Sequence, residues 1–327
     1  MAEITVVGAG VAGLCVATEL ADRGLAPRLV DRVAQPGPHA CSWWAGGMLA
    51  PLCEGESAEE PVVRLGREAI GWWRRHAGVV TAQGTLVLAL ARDRRELERF
   101  ARRTEGHRRL DADGLAALEP DLAGRAADAL FFEDEAHLDP RAALAALVEG
   151  LARRGIRIEP AGDELPTQGL VVDCRGLAAR DALPDLRGVK GEMIVLRSAE
   201  LSLARPVRLL HPRYPLYIVP RGDGVFMLGA TQIETGERRR VTARSLMELL
   251  SAAYALHPAL GEAEVLETGA DARPAFPDNL PRIRRRGRVL HANGLFRHGF
   301  LLAPALARMV ADWVTRGERT ELMEDED

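Results

Sequence analysis

No stretch of this 327-residue chain approaches the roughly 20 uninterrupted apolar residues that a helix needs to cross a bilayer. A membrane span is therefore not expected. The opening residues carry no basic segment and enter a glycine motif within eight positions, which is not the layout of a signal peptide. Positive charge is not in excess either: 43 Lys and Arg face 47 Asp and Glu, for a net charge of −4. A phosphate-backbone surface needs the opposite balance, so nucleic acid is not an expected partner. The arginines that do cluster, Arg282, Arg284, Arg285, Arg286 and Arg288, read as a solvated basic loop. The four cysteines (Cys15, Cys41, Cys53, Cys174) form no CxxC pair. That spacing argues against zinc, or any metal site, and against a disulfide framework. Free thiols and a cytoplasmic location are the expectation. Internal repeats are absent.

What the chain does have is length and apolar content for two domains, with 47% hydrophobic residues. Ile4 to Val7 is a short β-branched run, followed by glycines, an apolar-periodic stretch to Leu20 and a second strand from Arg28 to Asp31. This spacing predicts a β-α-β unit. Residues 37–61 read as loop. Strands are expected at 84–90, 129–132, 156–158 and 170–172. Helices are expected at 93–104, from the cap Asp111, and from Asp139-Pro140 to Arg154. Glu192 to Leu196, Tyr217 to Val219 and Val225 to Leu228 alternate between Gly or Pro breakers, as antiparallel strands do. An amphipathic helix at 242–256, a strand at 289–291 and a helix at 300–314 complete the pattern.

The expected fold class is α/β, with a Rossmann-like, doubly wound, discontinuous nucleotide domain and an inserted α+β domain on an antiparallel sheet. The expected boundaries are 1–80, 140–188 and 265–320 for the first domain, and 81–139 with 189–264 for the second. The acidic tail 321–327 is expected to be disordered.

Gly8-Ala9-Gly10-Val11-Ala12-Gly13 is a GxGxxG between a strand and a helix, the context in which that motif binds a dinucleotide. Gly8 permits the tight turn, Gly10 lets the backbone approach a pyrophosphate, and Gly13 lets helix and strand pack closely. The helix N-terminus offers N–H groups and partial positive charge to phosphates. Asp31, 18 residues past Gly13, can accept from the adenosine ribose, although Arg32 beside it weakens discrimination against a 2′-phosphate.

The motif alone does not choose between FAD and NAD. Two further segments bear on the choice. Ser42-Trp43-Trp44-Ala45-Gly46-Gly47-Met48-Leu49 offers small residues flanked by aromatics, a surface for a flat ring or equally a buried loop with core tryptophans. Asn293 to Pro304 joins a strand to the last helix, whose N-terminus would stabilise the negative charge of a reduced flavin.

Taken in order, GAGVAG at residue 8, SWWAGGMLAP, VVDCRG, RGVKGEM, YIVPRGDGVFMLGAT, ARPAFPDNLPRI and FRHGFLLAPALA resemble the D-amino-acid oxidase family of flavoenzymes. They are most similar to its glycine oxidase branch, the enzymes of thiamine thiazole biosynthesis. The matches span nearly the whole chain, about residues 4 to 315.

The resemblance implies non-covalent FAD held around Gly8, Gly10, Val11, Ala12, Gly13, Asp31, Arg32, Cys41, Ser42, Gly46, Gly47 and Met48. It implies a second stretch of contacts through Leu295, Phe296, Arg297, His298, Gly299, Phe300 and Leu301. Arg273 stands where the family clamps the substrate carboxylate, a role that suits a bidentate guanidinium. Tyr217 matches a tyrosine lining the substrate pocket, and Arg297 a second substrate-side arginine. His298 either hydrogen-bonds the flavin or caps the last helix. Gln232 departs from relatives that carry Met and makes the pocket more polar. The segment after Ile158 is short beside longer members. Lys190 and Gly191 read as residues of the sheet.

The implied activity is oxidative deamination of glycine, sarcosine or small D-amino acids. Hydride passes from Cα to the flavin, O2 is reduced to H2O2, and the imine hydrolyses to glyoxylate or passes to thiazole synthase. The residues leave alternatives open: a dehydrogenase that hands electrons to a quinone, and a NAD-dependent dehydrogenase. A homo-oligomer is compatible with the sequence.

Overall fold

The computed structural model describes residues 3–162, 164–213, 215–238 and 240–325. Among these, a seven-stranded sheet runs in the order Met323–Asp325, Arg282–Arg286, Val289–Asn293, Leu170–Asp173, Ile4–Val7, Arg28–Asp31, Ile158–Pro160. Every pairing is parallel except that between Arg282–Arg286 and Val289–Asn293. The central strands Ile4–Val7 and Leu170–Asp173 are short and largely apolar because both faces are covered, as parallel sheets require. Alternation along each strand sorts the side chains. Val6, Leu29, Val172 and Leu290 join the main core with the helices Val11–Asp22, Pro140–Arg153 and Gly299–Arg316. Val7, Val30 and Val171 point the other way into a smaller cluster.

Local chemistry sets the helix ends. The Asp139 carboxylate accepts from the N–H groups of Arg141 (2.7 Å) and Ala142 (3.1 Å), and Pro140 stands first in the helix, where no N–H is missed. The last helix tolerates Pro304 in its interior for a specific reason. Proline leaves the carbonyl four residues earlier without its helical donor. That carbonyl, of Phe300, instead accepts from the Trp73 indole N–H at 2.8 Å. Gly317, at φ 68°, closes this helix.

A second sheet, of nine strands among the described residues, runs Ile233–Glu234, Arg187–Arg197, Val225–Gly229, Leu216–Pro220, Val207–Leu210, Thr85–Ala89, Asp128–Phe132, Arg108–Asp111, with Glu264–Ala275 also paired to Arg187–Arg197. It is not purely antiparallel as expected: Val207–Leu210 and Thr85–Ala89 pair in parallel. The pairing of Arg187–Arg197 with Glu264–Ala275 extends over the full length of the shorter strand, from Arg187 opposite Ala275 to Arg197 opposite Glu264. The helix Ala243–Leu256 lays Leu249, Ala253 and Leu256 against this sheet's own core.

Three readings are corrected. The arginine cluster at 282–288 is not a solvated loop. Arg282–Arg286 is a strand, in which Arg284 is buried and paired to Asp185 (2.7 and 2.8 Å) and Glu324 (2.8 Å). The acidic tail is not disordered as far as Asp325: Met323–Asp325 adds an edge strand, and the one carboxylate of Glu324 accepts from both Arg282 and Arg284. Residues 326–327 lie outside the described residues. The 37–61 segment is looped only in part, since it contains the turn Cys41–Trp44, the strand Met48–Leu49 and the short helix Pro51–Glu54. No helix among the described residues is long and apolar enough to cross a membrane.

Candidate active site

A cavity of about 800 Å3 is bordered by the glycine motif at one side and by Tyr217, Arg273 and Arg297 at another. This is in the upper range for small-molecule sites. At the glycine motif, Gly8 has φ +100°, and a Cβ there would stand 2.6 Å from the Cys174 carbonyl. Gly13 is required still more strictly, because a Cβ there would stand 1.7 Å from the Gly8 carbonyl. The Asp31 carboxylate accepts from the N–H of Ala9 and from that of Arg32 (2.6 Å), so it fastens the loop while keeping lone pairs to spare. Ser42 reaches across from the Cys41–Trp44 turn and accepts from the Val11 N–H at 3.3 Å. The first turn of the helix Val11–Asp22 holds no acidic residue, so its positive end faces the cavity unneutralised.

The aromatic-glycine loop is tied to the nine-stranded sheet and to a third, three-stranded sheet of Met48–Leu49, Ala136–Leu138 and Val80–Thr81. Trp44 lies over Gly269, where a Cβ would come within 2.1 Å of its ring, and the Arg141 guanidinium sits 4.5 Å from the Trp43 ring. Arg221 donates to the carbonyls of Leu138 (2.7 Å) and Gly46 (2.8 Å), stitching the loop to the strand Ala136–Leu138. Burial lowers the Arg221 pKa to about 10, which leaves it charged at neutral pH. Gly46 abuts the Tyr217 ring, which a Cβ would meet at 2.7 Å.

Tyr217 is the centre of a cationic end. Burial raises its phenol above the usual value, against the opposing fields of Arg273, Arg208, Arg221 and Arg297. Arg273 is drawn down from the ordinary arginine range, chiefly by burial. Among the described residues its hydrogen bonding is confined to the Thr231 carbonyl, 3.3 Å from Nη1; the nearby Asp271 is taken by Arg238 at 2.6 and 3.0 Å. Arg297 is differently placed: it pairs with Glu54 at 2.7 Å and the Ser57 hydroxyl at 2.8 Å. His298 does not cap the last helix with its side chain; its Nε2 lies 3.0 Å from Glu54. Glu54 also pairs with the half-buried Arg208 at 2.5 Å. Burial would raise the Glu54 carboxyl, but Arg297, Arg208 and His298 outweigh it and hold it well below the usual range.

The predicted cofactor and substrate positions therefore converge. Gly8, Gly10, Val11, Ala12, Asp31, Arg32, Cys41, Ser42, Gly46, Gly47, Met48 and all of Leu295 to Leu301 line the cavity, as do Tyr217, Gln232 and Arg273. Gly13 sits behind the wall, where it sets the packing of helix on loop. Glu54, Arg208 and Arg221 were missed; Gly191, read as a residue of the sheet, stands in the strand Arg187–Arg197 and also lines the cavity. Arg208, a lone charge inside the apolar run Val207–Leu210, is the one signal that was available. The residues fit FAD: a glycine turn with an unneutralised helix end, an acidic residue on the next strand, and a cavity of about 800 Å3 whose lining includes Gly46, Gly47 and Gly191.

Fold and site together define a flavin-dependent oxidoreductase. The chain belongs to the DAO family of FAD-dependent oxidoreductases, whose model matches residues 3–313. More particularly, it is 58% identical over 311 residues to a Rhizobium etli protein that carries the name thiamine biosynthesis oxidoreductase ThiO, covering 94% of this chain and 95% of that one. It is 27% identical to the bifunctional protein ThiO/ThiG of a Nostoc species, covering 98% of this chain and 54% of that longer one. The crystal structure of glycine oxidase from Geobacillus kaustophilus superposes with a TM-score of 0.79 at 25% identity, over 98% of this chain and 96% of that one. An FAD-dependent family leaves the nicotinamide alternative without support.

Proposed function

We propose that this enzyme oxidises glycine, or a similarly small amino acid such as sarcosine, to its imine, and so supplies the two-carbon nitrogen unit of the thiamine thiazole. The observation that carries this reading is Arg273: a guanidinium deep in the same cavity as the glycine motif, with no carboxylate of its own among the described residues. Keeping such a charge unpaired is costly unless a ligand completes it. The ligand that fits is a carboxylate held by the planar donor fork.

FAD, when bound, would supply the acceptor for the hydride lost from Cα, and O2 would take its two electrons together with that proton and the one released by the substrate nitrogen as the imine forms, giving H2O2. The chain's own residues bind and orient. Arg273 takes the substrate carboxylate, and Tyr217, kept protonated by burial, donates a second hydrogen bond to it. Arg297, fastened by Glu54 and Ser57, closes one wall and adds positive field. Orientation of this kind replaces a bimolecular encounter. Glu54 is a poor base because three cationic or donor groups hold its carboxylate, and burial keeps His298 largely neutral and tied to Glu54. The substrate amine must therefore arrive neutral, and kcat/KM rises with pH through the amine's own pKa.

Thiazole synthase is the proposed consumer of the imine, a reading supported by the Nostoc ThiO/ThiG protein. The cytoplasm, where the four unpaired cysteines would stay reduced, is the proposed location. The test is oxygen uptake with glycine and with sarcosine: one H2O2 and one glyoxylate should appear per glycine consumed. Reduction of a quinone with no oxygen uptake would replace the oxidase reading with a dehydrogenase.

A further inference from the structure

Gly191 stands in the middle of the strand Arg187–Arg197, the last place where a sheet favours glycine. Its backbone does not call for it, since its φ is not among the positive values found in this chain. The neighbouring strand explains it. Glu264–Ala275 runs antiparallel, with Val189 opposite Arg273 and Gly191 opposite Asp271. Residues 189, 191 and 273 therefore share one face, and the Arg273 side chain lies diagonally across the position where a side chain of residue 191 would stand. A Cβ on Gly191 would fall 2.0 Å from Nη2, 2.3 Å from Cζ and 2.8 Å from Nη1 of Arg273. All three of its nearest atoms belong to that one guanidinium. The guanidinium also donates from Nη1 to the Thr231 carbonyl at 3.3 Å. Thr231 is itself fixed to the same strand, its hydroxyl accepting from the Glu192 N–H at 2.9 Å and its N–H donating to the Glu192 carbonyl at 3.2 Å.

We propose that Gly191 is a positioning residue: its missing side chain is the seat in which the Arg273 guanidinium lies flat, and this seat sets where the substrate carboxylate binds. The atom in the way is the end of a flexible side chain, not backbone. An added methyl group therefore leaves the sheet intact and displaces the guanidinium. The proposal rests on the reading of Arg273 as the carboxylate ligand.

The experiment is a double-mutant cycle of Gly191→Ala with Arg273→Lys in the FAD-loaded enzyme. Two readouts are taken: glycine kinetics, and acetate titration followed by perturbation of the flavin absorption spectrum. Gly191→Ala should keep the visible spectrum of the wild type, raise the glycine KM and the acetate Kd about tenfold or more, and lower kcat by less than about threefold. In the Arg273→Lys background, where no planar fork occupies the seat, the same alanine should change both constants by less than about twofold. Three results overturn the proposal: unchanged constants in the Arg273 enzyme, an equal loss in both backgrounds, or failure to fold in both, which would mean that the sheet itself refuses the methyl group. An alanine variant that folds only in the Arg273→Lys background supports it. Acetate binding needs no turnover, so a wild-type enzyme that binds acetate but does not oxidise glycine sinks the proposed function and leaves the seat standing.

Discussion

The two ends of the cavity are made in opposite ways. The glycine-motif end is backbone: Gly8, Gly10 and Gly13, the start of one helix, and a single carboxylate, Asp31, all within 24 residues of each other. The end proposed to take the substrate is side chains from distant segments. Arg208 and Arg297 meet Glu54 across 154 and 243 positions, and Arg273 reaches Thr231 across 42. Backbone shaped by glycine tolerates almost no added atom, whereas a charge network tolerates substitution but not imbalance. Damage at the first end should thus appear as loss of cofactor, and damage at the second as loss of substrate affinity with the cofactor retained.

The sharpest way to break that contrast is Gly13→Ala. The new methyl group would overlap the Gly8 carbonyl, and relieving it moves the loop. We expect FAD affinity to fall by about 3 kcal/mol or more, over a hundredfold, measured by fluorescence of released flavin. A variant that stays yellow after dialysis would show that the glycine end is less strict than the geometry requires. Next in size, Arg273→Ala removes a charge-assisted pair to substrate. The glycine KM should rise about 50-fold, near 2.5 kcal/mol, with FAD retained and no loss of melting temperature, since a half-buried cation without a carboxylate partner among the described residues goes with it. Loss of flavin on this substitution would merge the two ends that the account keeps apart.

A smaller effect sharpens the seam between them. His137, on the strand paired with Met48, is buried near Arg221, and its pKa is lowered to about 4, chiefly by burial. The unfolded chain binds this proton near pH 6.5 and the folded chain only near 4. Its contribution to stability is therefore complete above pH 6.5 and declines as pH falls toward 4. At pH 5 the decline amounts to about 2 kcal/mol. His137→Leu should flatten that part of the denaturation profile; parallel profiles for both proteins would contradict the assignment.

The same contrast explains what could be read from the sequence. The glycine turn, Asp31, the Asp139 cap and the alternating strands depend on neighbours within a few residues, and the chain spells them out. The long strand Glu264–Ala275 was overlooked because Gly269 and Pro274 break its pattern, and only the structure shows Trp44 using the space over Gly269. The arginines at 282–286 read as solvated because Asp185 and Glu324, which neutralise them, lie 99 and 40 positions from Arg284. Glu54 falls within the 37–61 stretch that reads as loop; its meaning comes from Arg208 and Arg297, and no local pattern carries it. Gly191 is the extreme case, since its role is the absence of an atom.

The central claim is that one cavity brings FAD and a carboxylate-anchored amine together, with Arg273 as the anchor. Anaerobic titration of the yellow holoenzyme with glycine tests it most directly. The flavin absorption near its visible maximum should bleach with saturating dependence on glycine, and acetate should compete. A flavin that stays oxidised at every glycine concentration, in a protein that retains its cofactor, would contradict the account.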